Sequence, residues 1–349
     1  MEKIKNLLFK NVEELFTATL DKAEAKFELN QEKTLHLSDE NFNKIIEIFD
    51  NNLIEAYSSI YLIDYNEFIS RKNYNENKIS ELNKEYFEYY FSYLNTMHIV
   101  LNKIKETDQQ IDINIGTIIS IYAYALRLAD EIGILLLNGY DDGALRSWRS
   151  LYEYCIIGSI LISEKNDILT QRYIDYGIKT KKDKIKSYNQ FREKLKFQNL
   201  DQNSIKIVMS RYDSIKSKYG NDFFNDHGWA NIIIKKKRIH LNDLANKVGL
   251  DDLNPYYKWS CETLHNNINF THNFFENDII NISKITNQTY NSDSIIDPMQ
   301  ITLKSLHKLN FYFLELISLD EEFNLNIMLF EKIYNKLQKL IKQTEKNTN

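Results

Sequence analysis

Proline and glycine are scarce in this sequence: its 349 residues include 2 prolines and 9 glycines. All-β sandwiches and alternating α/β folds need turn residues at short intervals, and these two residue types supply many of them. Both fold classes are therefore excluded. Apolar residues instead recur at steps of three and four along much of the chain, and 43% of all residues are hydrophobic. We predict an all-α, bundle-like fold of many helices with a C-terminal helical segment.

Cysteine and long apolar runs are scarce as well. The 2 cysteines, Cys155 and Cys261, cannot form a disulfide framework, and both lie in helical patterns. We therefore interpret them as reduced thiols. No apolar run approaches the ~18 residues of a membrane span, and the N-terminus has no apolar core of the kind found in signal peptides. These features predict a cytoplasmic protein with no membrane segment.

An excess of positive charge is also missing, since 44 Lys and Arg face 49 Asp and Glu, for a net charge of −5. A general nucleic-acid-binding domain carries a basic excess, so only a local basic patch remains open. The basic residues concentrate in two clusters, around Lys181 and Lys182 and in the run Lys235, Lys236, Lys237 and Arg238. These clusters are either solvated faces or a track that contacts the phosphate backbone of RNA.

We divide the chain into three predicted parts. Residues 1–114 form N-terminal helices that pack on the core, residues 115–285 form the helical core, and residues 299–349 form C-terminal helices. The polar stretch 286–298 is the best candidate for a linker. In the C-terminal part, a near-heptad apolar stripe begins at Ile327. This stripe packs either on the rest of the chain or against a partner, which would be a second copy or another protein.

Two of the 8 arginines lie close together in a helix predicted over 142–163, which is apolar on both sides and therefore central. Arg146, Arg149 and Glu153 share one side of it, in the first turns, where the helix dipole disfavours cations. One interpretation is a structural Arg–Glu network that ties the helix to its neighbours. The other is an anion site, in which an arginine binds a phosphate or an oxyanion and Glu153 orients it or acts as a base.

A second set of polar residues lies on a helix predicted over 256–284. Tyr257, Cys261 and His265 are spaced by four and share one face, and His272 follows seven residues later. The histidines are either satisfied core residues or groups that titrate in a site. We predict a composite pocket in which this face meets Arg149 and Glu153.

Motifs for metals and common cofactors are absent. The pair Glu262 and His265 has the spacing of a carboxylate-bundle ligand pair, but no second such helix accompanies it. The sequence has no zinc knuckle, glycine-rich phosphate loop, nucleophile elbow or dinucleotide fingerprint. We therefore expect neither a metal nor a cofactor.

The order of motifs in the middle of the chain resembles an uncharacterised family of bacterial helical proteins. The motifs are an Arg-Ser-Leu-Tyr-Glu segment at 149–153, Trp229, a Leu-Ala segment at 244–249, and Tyr257, Cys261 and His265 at four-residue spacing. Cys261 stands where the family usually has serine, and a thiol donates hydrogen bonds only weakly. The resemblance implies an all-helical fold over about 115–284, in which an Arg–Glu pair and a histidine converge on one pocket.

The chain is also similar in look to helical ribonucleases of the HEPN type from toxin–antitoxin and phage-defence systems. However, no histidine follows Arg146 or Arg149 at the short spacing of their signature. We nevertheless hypothesise a metal-independent, ribonuclease-like effector of bacterial defence that acts on RNA. Its predicted catalytic residues are Arg149, Glu153, His265 and His272, and its predicted ligand-binding residues are Arg146, Tyr257 and Cys261.

The alternative hypothesis is a protein without enzymatic activity. In that case the same polar cluster fixes helix packing or binds a small anionic ligand, and the protein is a sensor. The C-terminal stripe would then recruit a partner protein.

Overall fold

The computed structural model describes residues 84–106, 111–264, 275–276, 279–280, 292–317, 331, 334–336 and 338–340. All of them belong to one compact unit, residues 75–349. Its helices are α1 (Lys84–Glu106), α2 (Ile113–Leu137), α3 (Asp141–Ser163), α4 (Asp167–Phe191), α5 (Gln202–Tyr219), α6 (Leu241–Val248), α7 (Asn254–Leu264) and α8 (Ser292–Ile317). Short 3₁₀ helices lie at Asn221–Phe224, Gly228–Ala230 and Asp251–Leu253. The prediction of an all-α fold is confirmed.

Helix α3 lies at the centre of this arrangement. It packs against α2, α8, α7 and α6, as expected for a helix that is apolar on both sides. Trp148 is fully buried, and its Nε1 donates a hydrogen bond to Ser305 Oγ on α8 at 3.2 Å. Tyr152, one turn later, donates to the carbonyl oxygen of Leu250 at 2.8 Å. These contacts fix the rotation of α3, and with it the direction in which Arg149 and Glu153 point.

The connection between α2 and α3 is a tight turn. Gly139 adopts φ 75°, a backbone conformation that glycine takes without steric cost. The sequence predicts that an aspartate caps α3, but Tyr140 occupies the N-cap position and Asp141 with Asp142 fill the first turn. There the two carboxylates interact favourably with the positive end of the helix dipole.

The segment after α5 is held against α4 by Arg172. This arginine is only 7% exposed. Its Nε donates to the carbonyl oxygen of Trp229 at 3.0 Å, and its Nη2 donates to Asn231 Oδ1 at 2.6 Å and to the carbonyl oxygen of Gly228 at 3.4 Å. We call Arg172 with these three partners the Arg172 anchor.

Aromatic rings and a buried carboxylate complete the surroundings of the Arg172 anchor. The guanidinium carbon lies 4.6 Å from the ring centroid of Tyr219 and 5.0 Å from that of Phe223, so the cation packs on two rings. Asp175, one turn along α4, accepts a hydrogen bond from the Tyr219 hydroxyl at 3.0 Å. Burial lowers the pKa of Arg172, although the charge of Asp175 opposes this effect. The anchor therefore determines where residues 225–231 lie.

The structure corrects two boundaries expected from the sequence. The helix predicted over 256–284 is described as a helix only to Leu264, and an antiparallel pair of two-residue strands, β1 (Phe275–Glu276) and β2 (Ile279–Ile280), lies within the predicted range. The two residues between the strands are Asn and Asp, which favour tight turns, and three of the four strand residues are aromatic or β-branched. The linker predicted over 286–298 overlaps α8, which begins at Ser292 and includes Pro298.

The described C-terminal residues pack on α1 and α8. The ring of Tyr334 stacks on His307 with centroids 4.0 Å apart, and the Tyr86 hydroxyl donates to the carbonyl oxygen of Leu340 at 3.4 Å. These contacts agree with the packing alternative for the C-terminal stripe, while a dimer or partner contact stays a prediction. Among the described helices, none is long and apolar enough to cross a membrane.

Candidate functional site

Arg149, Glu153 and Tyr257 form a hydrogen-bonded network between α3 and α7. Arg149 Nη2 donates to the Tyr257 hydroxyl oxygen at 3.2 Å, and that hydroxyl donates to Glu153 Oε1 at 2.9 Å. The Arg149 guanidinium carbon also lies 5.1 Å from the centroid of the Tyr257 ring. Because Arg149 and Glu153 are four residues apart on one helix, both side chains reach the same tyrosine. We call these three residues the Arg–Tyr–Glu network.

Arg149 is incompletely satisfied within this network. Its side chain is 24% exposed, and its Nε lies 3.7 Å from Glu153 Oε1, which is too far for a hydrogen bond. The Nε atom is buried and has no hydrogen-bond acceptor among the described residues. Burial acts to lower the pKa of Arg149, but the hydrogen bond that it donates to Tyr257 and the electrostatic effect of Tyr257, Cys261 and Glu153 outweigh it and raise that pKa. Arg149 is therefore a permanent cation with a donor to spare.

Tyr257 and Cys261, one turn apart on α7, open onto a cleft of about 450 Å³. Opposite parts of the chain complete its wall, with His227 from the segment after α5 and His240 from the residue before α6. Lys258 adds a positive charge to the lining. The volume lies in the range of ~300–1,000 Å³ that is typical of small-molecule sites. Two histidines, a thiol and a network-held phenol therefore share one cleft.

His227 has an unusual backbone conformation, with φ 53° in the left-handed region. Such a conformation is uncommon for a residue other than glycine, and at functional sites the surrounding structure holds it in place. Here the Arg172 anchor fixes the next two residues, Gly228 and Trp229. Burial lowers the pKa of His227, and the charge of His240 acts in the same direction, while Glu153 and Asp226 oppose both. The imidazole is therefore neutral at neutral pH.

A second cavity, of about 490 Å³, adjoins the cleft and is strongly basic. It shares Asp226 and His240 with the cleft, and its lining includes Lys179, Lys237 and Arg238. Lys179 Nζ lies 4.0 Å from Asp226 Oδ1, whereas Lys237 and Arg238 are exposed. A chain of anionic groups that enters this cavity would continue toward the two histidines.

The structure brings together four of the residues that the sequence singles out. Arg149, Glu153 and Tyr257 form the network, and Cys261 lies beside it on the wall of the cleft. Arg146, one turn before Arg149, is exposed and is not part of the described cleft lining; its charge acts to lower the pKa of Asp142. His265 and His272 lie outside the described residues, so their predicted place in the site stays a prediction.

The predicted basic clusters divide into different environments. Lys182 Nζ lies 3.5 Å from the centroid of the Tyr212 ring, and Lys236 Nζ pairs with Asp243 Oδ1 at 2.5 Å. Lys181 and Lys235 are exposed. Lys237 and Arg238 line the basic cavity, as described above. Of the predicted basic residues, Lys237 and Arg238 are therefore the ones that lie next to the cleft.

His227 and His240 are not among the site residues predicted from the sequence. Two local signals were nevertheless present: His227 stands before Gly228 in an irregular segment, and His240 stands three residues before Asp243. In the structure, Asp243 Oδ2 accepts a hydrogen bond from the backbone N–H of His240 at 2.9 Å, as in a helix cap. These signals place both histidines in connections between helices, where binding residues are common. No local signal could show that the two connections meet.

Metal ligands are the remaining possibility for such a set of side chains. Within the part of the chain that the structure describes, no group of three or more His, Cys, Asp or Glu side chains is placed to hold a metal ion. What the described cleft does contain is donors, cations and imidazoles, which together suit an anionic ligand.

No curated protein and no solved structure matches this chain. The matching family model spans residues 116–281, from the first turn of α2 to just after β2. That range includes the Arg–Tyr–Glu network and both histidines of the cleft. Over these residues the chain matches the family of unknown function DUF5677, which confirms the predicted resemblance to an uncharacterised helical family.

Proposed function

We propose that this protein cleaves RNA without a metal ion, with the cleft beside the Arg–Tyr–Glu network as its active site. The observation that carries the proposal is that His227, His240 and Tyr257 line the same cleft. RNA carries its own nucleophile, the 2′-hydroxyl, so cleavage needs a proton acceptor, a proton donor and positive charge near phosphorus. The cleft supplies each of these groups.

The two histidines differ in a way that assigns their roles. His227 is neutral at neutral pH because burial lowers its pKa, so it accepts the proton of the 2′-hydroxyl. The 2′-oxygen then bonds to phosphorus, and the bond from phosphorus to the 5′-oxygen breaks. His240, exposed to solvent on the same cleft, donates a proton to that departing oxygen. The products are a 2′,3′-cyclic phosphate and a 5′-hydroxyl, so no water or cofactor is consumed.

The cations around the cleft stabilise the charge that develops on the phosphate oxygens. Lys258 lines the cleft itself, and the Arg149 guanidinium donates a hydrogen bond to Tyr257 in its lining. Lys237 and Arg238 in the basic cavity bind the phosphates that follow along the strand. The cytoplasm, which the sequence predicts as the location, is where such a substrate is found. The role in bacterial defence or a toxin system stays a prediction from resemblance.

Incubation of the purified protein with total RNA and tRNA in the presence of a chelator tests this proposal. We expect cleavage that leaves 2′,3′-cyclic phosphate ends, and we expect His227→Asn and His240→Asn each to lose about 10²–10⁴-fold in rate. His98→Asn is the matched control, because His98 pairs with Asp130 at 2.9 Å and lies outside the lining of the cleft. It should cleave at the wild-type rate.

Two results would overturn the proposal. One is the absence of cleavage at any protein concentration. The other is full activity in folded His227→Asn together with its loss in His265→Ala, since catalysis would then use the histidine predicted from the sequence and a different site.

The second candidate function is the binding of a small anionic ligand without catalysis. The observation that favours it is the cleft volume of about 450 Å³, which suits a mononucleotide-sized molecule. Thermal shifts caused by nucleoside phosphates, in the absence of any RNA cleavage, would support this candidate. Loss of those shifts in Arg149→Met would locate the ligand at the same cleft.

A further inference from the structure

A third cavity borders the cleft, and His227 with Asp226 belong to both. Its volume is about 460 Å³, and the rest of its wall comes from α2, α3, α4 and Trp229. Residues 173, 177 and 180 of α4 contribute to this wall because their four- and three-residue spacing puts them on one face of the helix. A ligand group in this cavity would therefore lie within reach of whatever reacts at His227.

Aromatic rings and hydroxyl groups make up much of the lining. The rings of Tyr173 and Trp229 meet edge to face with centroids 5.1 Å apart, and Tyr176 lies one turn further along α4. Thr117 and Thr180 add hydroxyl oxygens that accept hydrogen bonds, although the Thr117 hydroxyl itself donates to the carbonyl oxygen of Ile113 at 2.8 Å. In contrast to the basic cavity, the only charged residue in this lining is Asp226, within the described part of the chain. Such a surface suits a flat, uncharged ring with polar edges rather than a phosphate.

Gly177 gives independent support, because no packing contact with the described residues explains a glycine there. Glycine weakens the interior of a helix, and Gly177 lies in the middle of α4. A Cβ atom added there would meet no atom of the described residues within 4 Å, and the φ of Gly177 is not in the left-handed region. Neither a close neighbour nor the backbone conformation requires glycine. What the missing side chain does is leave the helix backbone open to the cavity.

We propose that this cavity is a nucleobase subsite, in which the base of an RNA nucleotide lies over Gly177 beside Tyr173 while its ribose and phosphate extend past His227 into the cleft. This inference rests on the proposed function and adds the substrate's recognition element to it. The basic cavity and the nucleobase subsite then border the same cleft, and Asp226 lines all three. Base stacking is tolerant of sequence, so the subsite selects nucleotides over simple phosphates more than one base over another.

Gly177→Leu tests the subsite, because leucine is a good helix former and fills the open space. For a short RNA we expect KM to rise at least tenfold while kcat changes less than threefold, since the variant weakens binding and leaves His227 and His240 in place. Ser187→Leu is the matched control: it puts leucine at an exposed position of the same helix, outside the cavity lining, and should leave KM unchanged.

Two modified substrates make the test specific: one has an abasic ribose on the 5′ side of the scissile phosphate, and the other has it on the 3′ side. When the base is missing, Gly177→Leu and wild type should have the same KM, because the lost interaction is absent from both reactions. An unchanged KM of Gly177→Leu on intact RNA would overturn the inference, and so would an equal rise in KM on intact RNA and on both abasic substrates.

Binding of adenosine and uridine, measured by NMR titration, separates the inference from the proposed function. If wild type cleaves no RNA but binds these nucleosides, and Gly177→Leu does not, the subsite stands and the ribonuclease proposal fails. If wild type cleaves RNA while Gly177→Leu has the wild-type KM, the ribonuclease proposal stands and the subsite fails. If neither protein cleaves RNA or binds nucleosides, both fail.

Discussion

Arg172 on α4 and Arg149 on α3 differ in how completely the protein itself satisfies them. Arg172 is 7% exposed and donates to three oxygen atoms, and two rings cover its faces. Arg149 is 24% exposed, donates one hydrogen bond, and keeps a buried Nε without an acceptor among the described residues. Arg172 therefore has its hydrogen-bonding groups satisfied by the protein, and we call its cluster closed. Arg149 does not, and we call the Arg–Tyr–Glu network open. An open, partly buried cation beside a cleft is the pattern expected where a ligand supplies the missing partner.

The two clusters are also connected. The Arg172 anchor fixes Gly228 and Trp229, and this holds the preceding residue, His227, against the cleft that Tyr257 of the Arg–Tyr–Glu network lines. The closed cluster thus stabilises the geometry on which the open one depends. A comparison of variants in the two clusters should separate a cost in stability from a cost in function.

The largest expected difference is between Arg172→Met and Arg149→Met, which replace each arginine by an unbranched apolar side chain. Arg172→Met removes the donor from two buried carbonyl oxygens and from the part-buried Asn231 Oδ1, so we expect a loss of about 2–5 kcal/mol and a decrease in Tm of roughly 5–10 °C. Arg149→Met loses the hydrogen bond to Tyr257, an i,i+4 ion pair and a cation–π contact, which together are worth about 1–2 kcal/mol. Thermal unfolding followed by circular dichroism measures both values.

RNA cleavage by the same two proteins completes this test. At a temperature where both are folded, Arg149→Met should lose activity although its Tm stays close to wild type. Equal decreases in Tm for the two variants would show that Arg149 is as structural as Arg172, and the contrast between the clusters would be wrong.

The next largest effect concerns two glycines, Gly228 in the closed Arg172 anchor and Gly177 beside the open cavity. A Cβ atom at Gly228 would lie 2.4 Å from the carbonyl oxygen of Phe223 and 2.7 Å from that of Asp222, so the Arg172 anchor would have to shift. We expect Gly228→Ala to cost about 1–3 kcal/mol. Gly177→Ala, beside the open cavity, should instead stabilise the protein by about 0.5–1 kcal/mol, because alanine fits there and favours the helix. Urea unfolding of both variants gives the two signs.

If Gly177→Ala lowered the free energy of unfolding as Gly228→Ala does, the prediction for Gly177 would be contradicted. Its surroundings would then be as tightly packed as those of Gly228. A neutral Gly228→Ala would mean that the segment after α5 yields easily, and His227 would then not be held.

How far the sequence predicts this molecule depends on the distance between interacting residues. The central position of α3 follows from its own two apolar sides, and the pairing of Arg149 with Glu153 follows from a spacing of four. Tyr257 lies 104 residues beyond Glu153, and only the order of motifs in a resemblance connected them. The helix predicted over 256–284 was wrong within its second half, where the local preference for a turn prevailed over apolar periodicity.

His227 and His240 show why the rest could not be predicted. They occupy two different connections between helices, and the first of these is positioned by Arg172, which lies 57 residues before Trp229. Neither hydrophobic periodicity nor residue spacing encodes a contact of that kind. The family match covers both histidines but, being to a family of unknown function, gives them no role.

The smallest expected effect is a pH dependence of stability from His227. Burial lowers its pKa below the usual value of 6.5, with His240 acting in the same direction and Glu153 and Asp226 opposing. Above that pH the residue is neutral in both the folded and the unfolded chain and contributes no difference. As the pH falls below 6.5, the unfolded chain takes up the proton first, so the folded state loses stability. His227→Asn removes this loss, because asparagine does not titrate and tolerates φ 53°.

The measurement is the free energy of unfolding in urea for wild type and His227→Asn at several pH values between 7.5 and 5.5. The variant should gain on wild type as the pH falls, by less than the cost of Gly228→Ala. His307, whose pKa burial also lowers, is present in both proteins, so its contribution cancels from the difference. A difference that stays constant across this range would mean that His227 is as accessible in the folded protein as in the unfolded chain. The cleft would then lack the buried, neutral imidazole on which the assignment of the proton acceptor depends.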